Sequence, residues 1–447
     1  MLKLNNIRFN QWIHGGIGFH FEIRNVSYRQ PLWVFCENSK GNILNLVRVI
    51  NRKVVDMKAI LLLVAILCTI PLSAQDIFPL WDSMAIMPDK KEIPIIENIE
   101  FSVIKPYEYY KDGYRFLHGV AVIWHKGKLY ASFGHNKNGE NTVTEEANYR
   151  VSENGGKTWG PVKKIGGGGK VAVSHGEFIS YRGNLWAFHG EYDGIMENLR
   201  MRAFLLNENT NKWEDKGIIV RNNFWSTAAP EKMENGNWIM PGFQVNQTGA
   251  GYNPPAVAIS HGDNFTKWDV VVIPMKTEGV WGESSVMING SEIVNVARWG
   301  RQSMALVSKS KDYGRTWTEL TSSNLPMTTS KPYAGQLSSG EYYLIGTTFK
   351  GVHNTRDPLT IAISRPGELF FSKVFVIRHA VFPEGPGESH PEVRLGYPHA
   401  YEYQGKLYVG YSNNGGKVGR PLSEGRESWN NNSAELAIIP IEKITSH

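Results

Sequence analysis

The chain has 447 residues, of which 20% are charged, 41% hydrophobic and 12% aromatic. That excludes a disordered chain and a small disulfide scaffold, and its 45 glycines and 14 tryptophans suit many short strands and turns. The net charge of +6 is local: residues 1–56 carry 8 Lys/Arg against 3 Asp/Glu, Lys58 adds a base, and 39 bases and 39 acids remain after residue 74. A balanced remainder argues against nucleic acid as a partner.

Residues 57–74 have the pattern of a secretory signal peptide. Met57 and Lys58 give a basic start, Ala59 to Ile70 an apolar run, and Pro71-Leu72-Ser73-Ala74 a small-residue cleavage point before Gln75. The run is short for a transmembrane helix. A signal belongs at a chain start, so Met57 is taken as the initiator and residues 1–56 as a mis-annotated upstream extension. The alternative is a cytoplasmic extension ahead of a signal anchor. Both cysteines, Cys36 and Cys68, precede the boundary. The expected product is a secreted or periplasmic monomer, free of the membrane after cleavage, with no disulfide and no thiolate nucleophile.

After residue 100 a hairpin recurs: an apolar run, a polar-Gly turn, and a second apolar run. The turn glycines are Gly127, Gly183, Gly236, Gly290, Gly340 and Gly405, spaced by 56, 53, 54, 50 and 65 residues. A period near 50 with one hairpin per repeat is the mark of a β-propeller with four strands per blade. Dividing residues 75–447 by that period gives just under seven. The expected fold is therefore all-β, a single propeller over 75–447, with seven blades favoured and six as the alternative. Residues 97–104 and 434–441 read as strands that share one blade and close the ring.

Two repeats carry a second signature. Ser310-Lys-Asp312-Tyr-Gly314-Arg-Thr316-Trp317 fits Ser-x-Asp-x-Gly-x-Thr-Trp, Ser152 to Trp159 fits with Asn154 for Asp, and Ser260 to Trp268 is a degenerate third. The carboxylate or amide bonds turn N–H groups, and the Trp packs between sheets. This is the Asp box, and with it the chain resembles the sialidase-like propeller superfamily over most of residues 100–440.

Propellers bind ligands where the innermost strands begin, a few residues before each hairpin turn. Those positions hold His118 and His175, and the second strands of the same blades end in His135 and His189. Four histidines at matching places are expected to converge near the channel. Other blades add Arg298 and Arg301, Lys331 and Tyr333, and Tyr397 and His399. Histidine suits proton transfer, arginine and lysine suit a carboxylate, and aromatics suit sugar faces. Glu177, Glu191, Asp193 and Glu283 are candidate carboxylates without a paired signature. His125, in the first turn, is expected on the opposite face and solvated. No local His spacing supports a metal site; no cofactor is required, although a divalent cation stays open.

The resemblance narrows further on Phe116-Leu117-His118-Gly119, the Asp boxes and the run from Gly396 to Tyr408. It is similar to a Bacteroidetes group of seven-bladed propellers that remove terminal L-rhamnose α-1,4-linked to D-glucuronate, as α-L-rhamnosidases or as rhamnose–glucuronate lyases. That resemblance implies a plant-type glycan substrate such as arabinogalactan. It also implies His118 or His135 as the catalytic histidine, Tyr397 or Tyr333 as acid, and His175, His189, Arg298, Arg301, Lys331, Tyr333 and His399 around the substrate. True sialidases differ by an Arg-Ile-Pro motif at the place of Leu117-His118-Gly119, part of an arginine triad, and by a tyrosine nucleophile with which Tyr397 would align. An exo-sialidase-like glycosidase and a non-catalytic glycan-binding propeller remain the alternatives.

Overall fold

Every one of the six polar-Gly turns closes an antiparallel hairpin in the computed structural model. At Lys126-Gly127, Arg182-Gly183 and Gln404-Gly405 both central residues have positive φ, between 46° and 76°, as a two-residue turn matched to strand twist requires. The structure describes the strands 8–11, 19–22, 33–37 and 43–48, and residues 78–246, 248–414 and 432–445.

The chain divides into two units, Met1–Ala74 and Gln75–His447. In the first, Arg8–Gln11 pairs with Phe19–Glu22, and Trp33–Glu37 with Ile43–Arg48, each antiparallel. The signal-peptide reading of 57–74 lies outside the described residues. Among the described residues, no helix is long and apolar enough to cross a membrane.

The second unit is a six-bladed propeller. The inner strands of blades one to six begin at Phe116, Ala172, Phe224, Val280, Tyr333 and Arg394. In blade three the inner edge is split, with Phe224–Ser226 and Glu231–Lys232 both pairing with Trp238–Gln244. The sixth blade is composite: Arg394–Tyr403, Lys406–Asn414 and Asn432–Pro440 come from the chain's end, and Glu100–Lys105 pairs with the last of them. The two terminal strands thus share a blade as predicted.

Seven blades, the favoured count, is corrected to six. The length that suggested a seventh is spent on non-blade structure. Residues 78–99 run as an arm over blades four and five, joined to them by isolated bridges at Ser323, Phe371 and Val376 and not by a continuous strand ladder. Asn324 holds the arm by accepting the Leu80 and Trp81 N–H groups at 2.9 and 2.8 Å, and Leu80 and Trp81 are buried there. The long connection after Arg378 takes the rest.

The core lies between neighbouring blades, where apolar faces of adjacent sheets meet. Leu129, Ala131 and Phe133 of blade one pack on Leu436 and Ile438 of blade six, and Phe188 and Met201 of blade two on Met240 and Ala256 of blade three. The Asp boxes close the outer turns as expected. Asp312 accepts the Thr316 N–H at 2.8 Å and its hydroxyl at 2.7 Å, and Asn154 accepts the Thr158 N–H at 2.9 Å. In the degenerate repeat, Asp263 instead takes Lys232 at 2.9 Å.

Ring closure rests on one strand, in which Ile104 is fully buried against blades one and six. Ile104→Ala should lower unfolding free energy by about 2–5 kcal/mol, as large-to-small core changes do, read as a shift of the urea midpoint at unchanged m-value.

Candidate functional site

A β-bulge sits near the start of the inner strand in four of the six blades. The register slips between His118 and Ala121, Val173 and Gly176, Val280 and Ser284, and Gly396 and His399. The extra residue turns a side chain out of the alternating pattern. The residues so placed are His118, His175, Glu283 and Tyr397. Two glycines make this possible. Gly119 (φ 62°) leaves room for the His175 ring, which a Cβ there would overlap, and Gly282 (φ 78°) lies against the Asn253 carbonyl. Tyr397 itself takes φ 52°, a left-handed conformation unusual for a bulky residue and typical of functional positions.

These side chains meet. The Tyr397 and His118 rings lie 3.5 Å apart, and His175 stands edge-on to both, at 6.0 and 5.9 Å. Arg298, on the second strand of blade four, donates from Nη1 to Glu283 Oε2 and to the Tyr397 hydroxyl, the latter at 3.1 Å. Arg356, in the loop after the second strand of blade five, lies 5.7 Å from the centre of the Tyr397 ring. Trp281 lies 5.8 Å from the Arg298 guanidinium, and Trp225 packs 4.9 Å from His175.

One layer down the channel, buried Lys331 donates to the carbonyls of Thr227 at 2.6 Å and Pro398 at 2.9 Å, joining blades three, five and six. His399 accepts the Val122 N–H at Nδ1, so the neutral ring carries its proton on Nε2, which lies 3.1 Å from Glu177 Oε2. Tyr333 completes this layer, its hydroxyl 3.4 Å from His399.

The electrostatics are lopsided. Burial holds His118 well below the ordinary histidine range, and His175, Arg356, Lys331 and Arg298 push it further. Burial takes His175 down to about 3, with Lys331 and His189 adding to it. The imidazoles are therefore neutral among fixed cations. Burial raises the Glu140 carboxyl, with Arg356 opposing. Glu140 lies in the loop between the second and third strands of blade one, and the charges it feels are those of Arg356, Glu283 and Arg298. Such a site can grip an anion with two arginines and present a phenol, two neutral imidazoles and two carboxyl groups to it.

Residues 178–409 match the BNR repeat-like domain. The chain belongs to the BNR repeat-like family. Among solved structures it is similar to a protein of unknown function from Dyadobacter fermentans, at 14% identity over 77% of this chain and 99% of that one, with a TM-score of 0.57. It is similar to a Hadza microbial sialidase at 13% identity over 76% and 68% of the two chains, TM-score 0.58. It also resembles Trypanosoma rangeli sialidase in complex with the inhibitor DANA, at 12% identity over 79% and 62%, TM-score 0.56. At these identities the likeness is one of fold. No curated protein matches.

This BNR propeller brings together only part of the expected set. His118, His175, Tyr397 and Arg298 form the cluster, and Lys331, Tyr333 and His399 form the layer beneath. The four histidines do not converge. His135 and His189 sit on second strands, one layer further from the axis. His135 stacks on Tyr114 at 3.7 Å and pairs with Asn148 at 3.2 Å, while His189 bonds the Ser174 carbonyl at 2.8 Å behind the blade-two bulge. Arg301 runs exposed along Gly279. Glu191 and Asp193 are taken by Arg200. His125 is at the opposite face as expected, yet buried, between Ser180 Oγ at 2.7 Å and Glu208 at 2.9 Å. Sequence reasoning missed Arg356 and Glu140, which lie in loops outside the repeat. Among the described residues, no group of three or more His, Cys, Asp or Glu side chains could hold a metal ion.

The neutral histidines set an acid limit. His175 and His189 titrate at about 3 and about 4 in the fold, and His118 and His135 are also held below 6.5, all chiefly by burial. A depressed histidine contributes stability above its unfolded pKa near 6.5 that is lost as pH falls toward the folded value. Burial raises Glu145 to about 7, Glu231 to about 8 and Glu140 as well, which acts in the opposite sense, so three carboxyls partly offset four imidazoles. The urea midpoint should fall as pH drops from 6.5 to 4, and His175→Gln should flatten that slope by about one proton.

Proposed function

We propose that this propeller is a retaining glycosidase for a terminal sugar that bears a carboxylate. The observation that carries this reading is the Tyr397–Arg298–Glu283 contact, a buried phenol and a buried carboxylate sharing one guanidinium nitrogen. Arg298 and Arg356 would hold the substrate carboxylate. Tyr397 Oη would attack the anomeric carbon while Glu283 takes the phenolic proton. Glu140 would protonate the departing glycosidic oxygen, so that the C–O bond breaks as the tyrosyl bond forms. Water, activated by the Glu140 carboxylate, would then release the sugar, and Glu283 would return the proton to Tyr397. A neutral nucleophile fits an anionic sugar, because a carboxylate in its place would face like-charge repulsion beside the substrate's own carboxylate. Leu117-His118-Gly119 stands in place of the Arg-Ile-Pro motif that carries the first arginine of the sialidase triad. That difference favours a sugar acid gripped by two arginines over the full sialate clamp.

A second reading keeps the arginine clamp and changes the chemistry. His118 Nδ1 is buried without a hydrogen-bond partner. A neutral imidazole so placed could remove the proton α to a uronate carboxylate and expel L-rhamnose from a rhamnosyl-α-1,4-glucuronate end, or serve a hydrolytic route on the same linkage. The six-bladed ring departs from the seven-bladed group that suggested this substrate. A propeller that only binds such glycans is the third outcome.

Residues 75–447 should be incubated with sialyl, glucuronyl and rhamnosyl-glucuronate oligosaccharides, following released sugar and the ultraviolet absorbance of an unsaturated uronate together. The primary reading expects release of an acidic sugar without absorbance, and Tyr397→Phe should lower kcat by at least about 10³-fold. Rhamnose release from the rhamnosyl-glucuronate end, with or without absorbance, supports the second reading and removes the first. Binding without any release leaves a glycan-binding module.

A further inference from the structure

A chain of hydrogen bonds runs behind His175 and plays no part in the mechanism above. The Tyr192 hydroxyl donates to Glu145 Oε2 at 2.5 Å, Ser174 Oγ lies 2.6 Å from Glu145 Oε1, and the same Oγ lies 3.1 Å from His175 Nδ1. All four residues are buried, and they span two blades: Glu145 opens the third strand of blade one, and the others belong to blade two. Proton bookkeeping fixes the direction. An ionised carboxylate only accepts, so Tyr192 and Ser174 must both donate to it. Ser174 has one hydrogen, which is then committed to Glu145, and its lone pair can only accept from His175. Nδ1 therefore carries the imidazole proton and Nε2 is bare.

We propose that Glu145 and Ser174 are positioning residues that fix the tautomer of His175, so that the ring enters the site as a hydrogen-bond acceptor at Nε2 and reads a hydroxyl of the substrate. The acceptor would lie on a ring edge-on to both Tyr397 and His118, beside the arginine clamp. A sugar that presents a hydroxyl next to the carboxylate-bearing end is then preferred over one that presents only acceptors there. The substrate half of this inference rests on the acidic-sugar reading above. The tautomer half stands independently of it.

The test begins with nitrogen-15 histidine NMR of the free protein at pH 9, with His175 assigned by His175→Gln. Burial raises Glu145 to about 7, so it is a carboxylate at that pH. The expected spectrum has a protonated Nδ1 and a pyridine-like Nε2 for His175. A wild-type spectrum with the proton on Nε2 overturns the proposal without any variant. Ser174→Ala, a small change checked for folding by thermal unfolding, should move the proton to Nε2, the tautomer that free imidazole side chains favour. An unchanged tautomer in Ser174→Ala also overturns it.

On turnover, each hydroxyl of an accepted sugar is replaced in turn by fluorine, which can accept but not donate. At one position the wild type should lose on the order of tenfold in kcat/KM, mostly through KM, a discrimination worth about 1.4 kcal/mol, while Ser174→Ala should lose much less. Tolerance of fluorine at every position by an active enzyme removes the substrate half. If no acidic glycan is cleaved yet the tautomer inverts in Ser174→Ala, the positioning pair stands and the glycosidase reading falls.

Discussion

One guanidinium ties the site together. Arg298 reaches from blade four to Glu283 on its own blade and to Tyr397 on blade six, across the channel. The Glu283 side chain is 4% exposed and that of Arg298 16%, so neither charge is solvated by bulk water, and each depends on the other for compensation. A charge pair in that setting cannot drift. The bulges at Glu283 and Tyr397, and the left-handed backbone of Tyr397, are held because the chain must deliver both groups to the same nitrogen.

The remaining electrostatics follow from this crowding. Arg298, Arg356 and Lys331 already occupy the channel as cations, and adding a proton to His118 or His175 would place a fourth beside them. The imidazoles stay neutral, and each becomes defined by its hydrogen bonds and not by its charge. His399 is set by the Val122 N–H, and His175 by Ser174. The same type of residue thus has a different tautomer in adjoining layers, Nε2–H for the first and Nδ1–H for the second when Glu145 is ionised.

The hairpins, the Asp boxes and the composite closing blade were legible because they repeat and because turn chemistry is local. Gly127 and Gly183 need positive φ whatever surrounds them, and Asp312 bonds within four residues of itself. The count of blades was not legible, since the arm of residues 78–99 has the composition of blade sequence but spends its backbone polar groups on Asn324 and on isolated bridges. In the site, His118, His175 and Tyr397 were found from their place at the start of a repeat, and Arg298 from its place at the end of the second strand of blade four. His135 and His189 were misplaced because matching positions on second strands project one layer outward. Arg356 and Glu140 sit in loops whose lengths follow no period, and only three-dimensional closure brings Arg356 over the Tyr397 ring and Glu140 within range of the charges of Arg356, Glu283 and Arg298. The Glu283–Arg298 pair could have been suspected: the two residues flank one hairpin at positions that register slippage brings together.

The closing blade carries a consequence for biosynthesis. Lys105 pairs with Ala434, and Val103 with Glu435. More than three hundred residues separate these partners, so the most non-local contacts of the molecule are also the ones that shut the ring, and chains dominated by such pairings fold slowly. During translation, blades two to five can be complete while blade one still lacks its neighbour and the site lacks Tyr397. The chain at that stage is an open crescent that already carries both arginines, Arg298 and Arg356, but lacks Tyr397, and the site is complete only once the closing blade is in place.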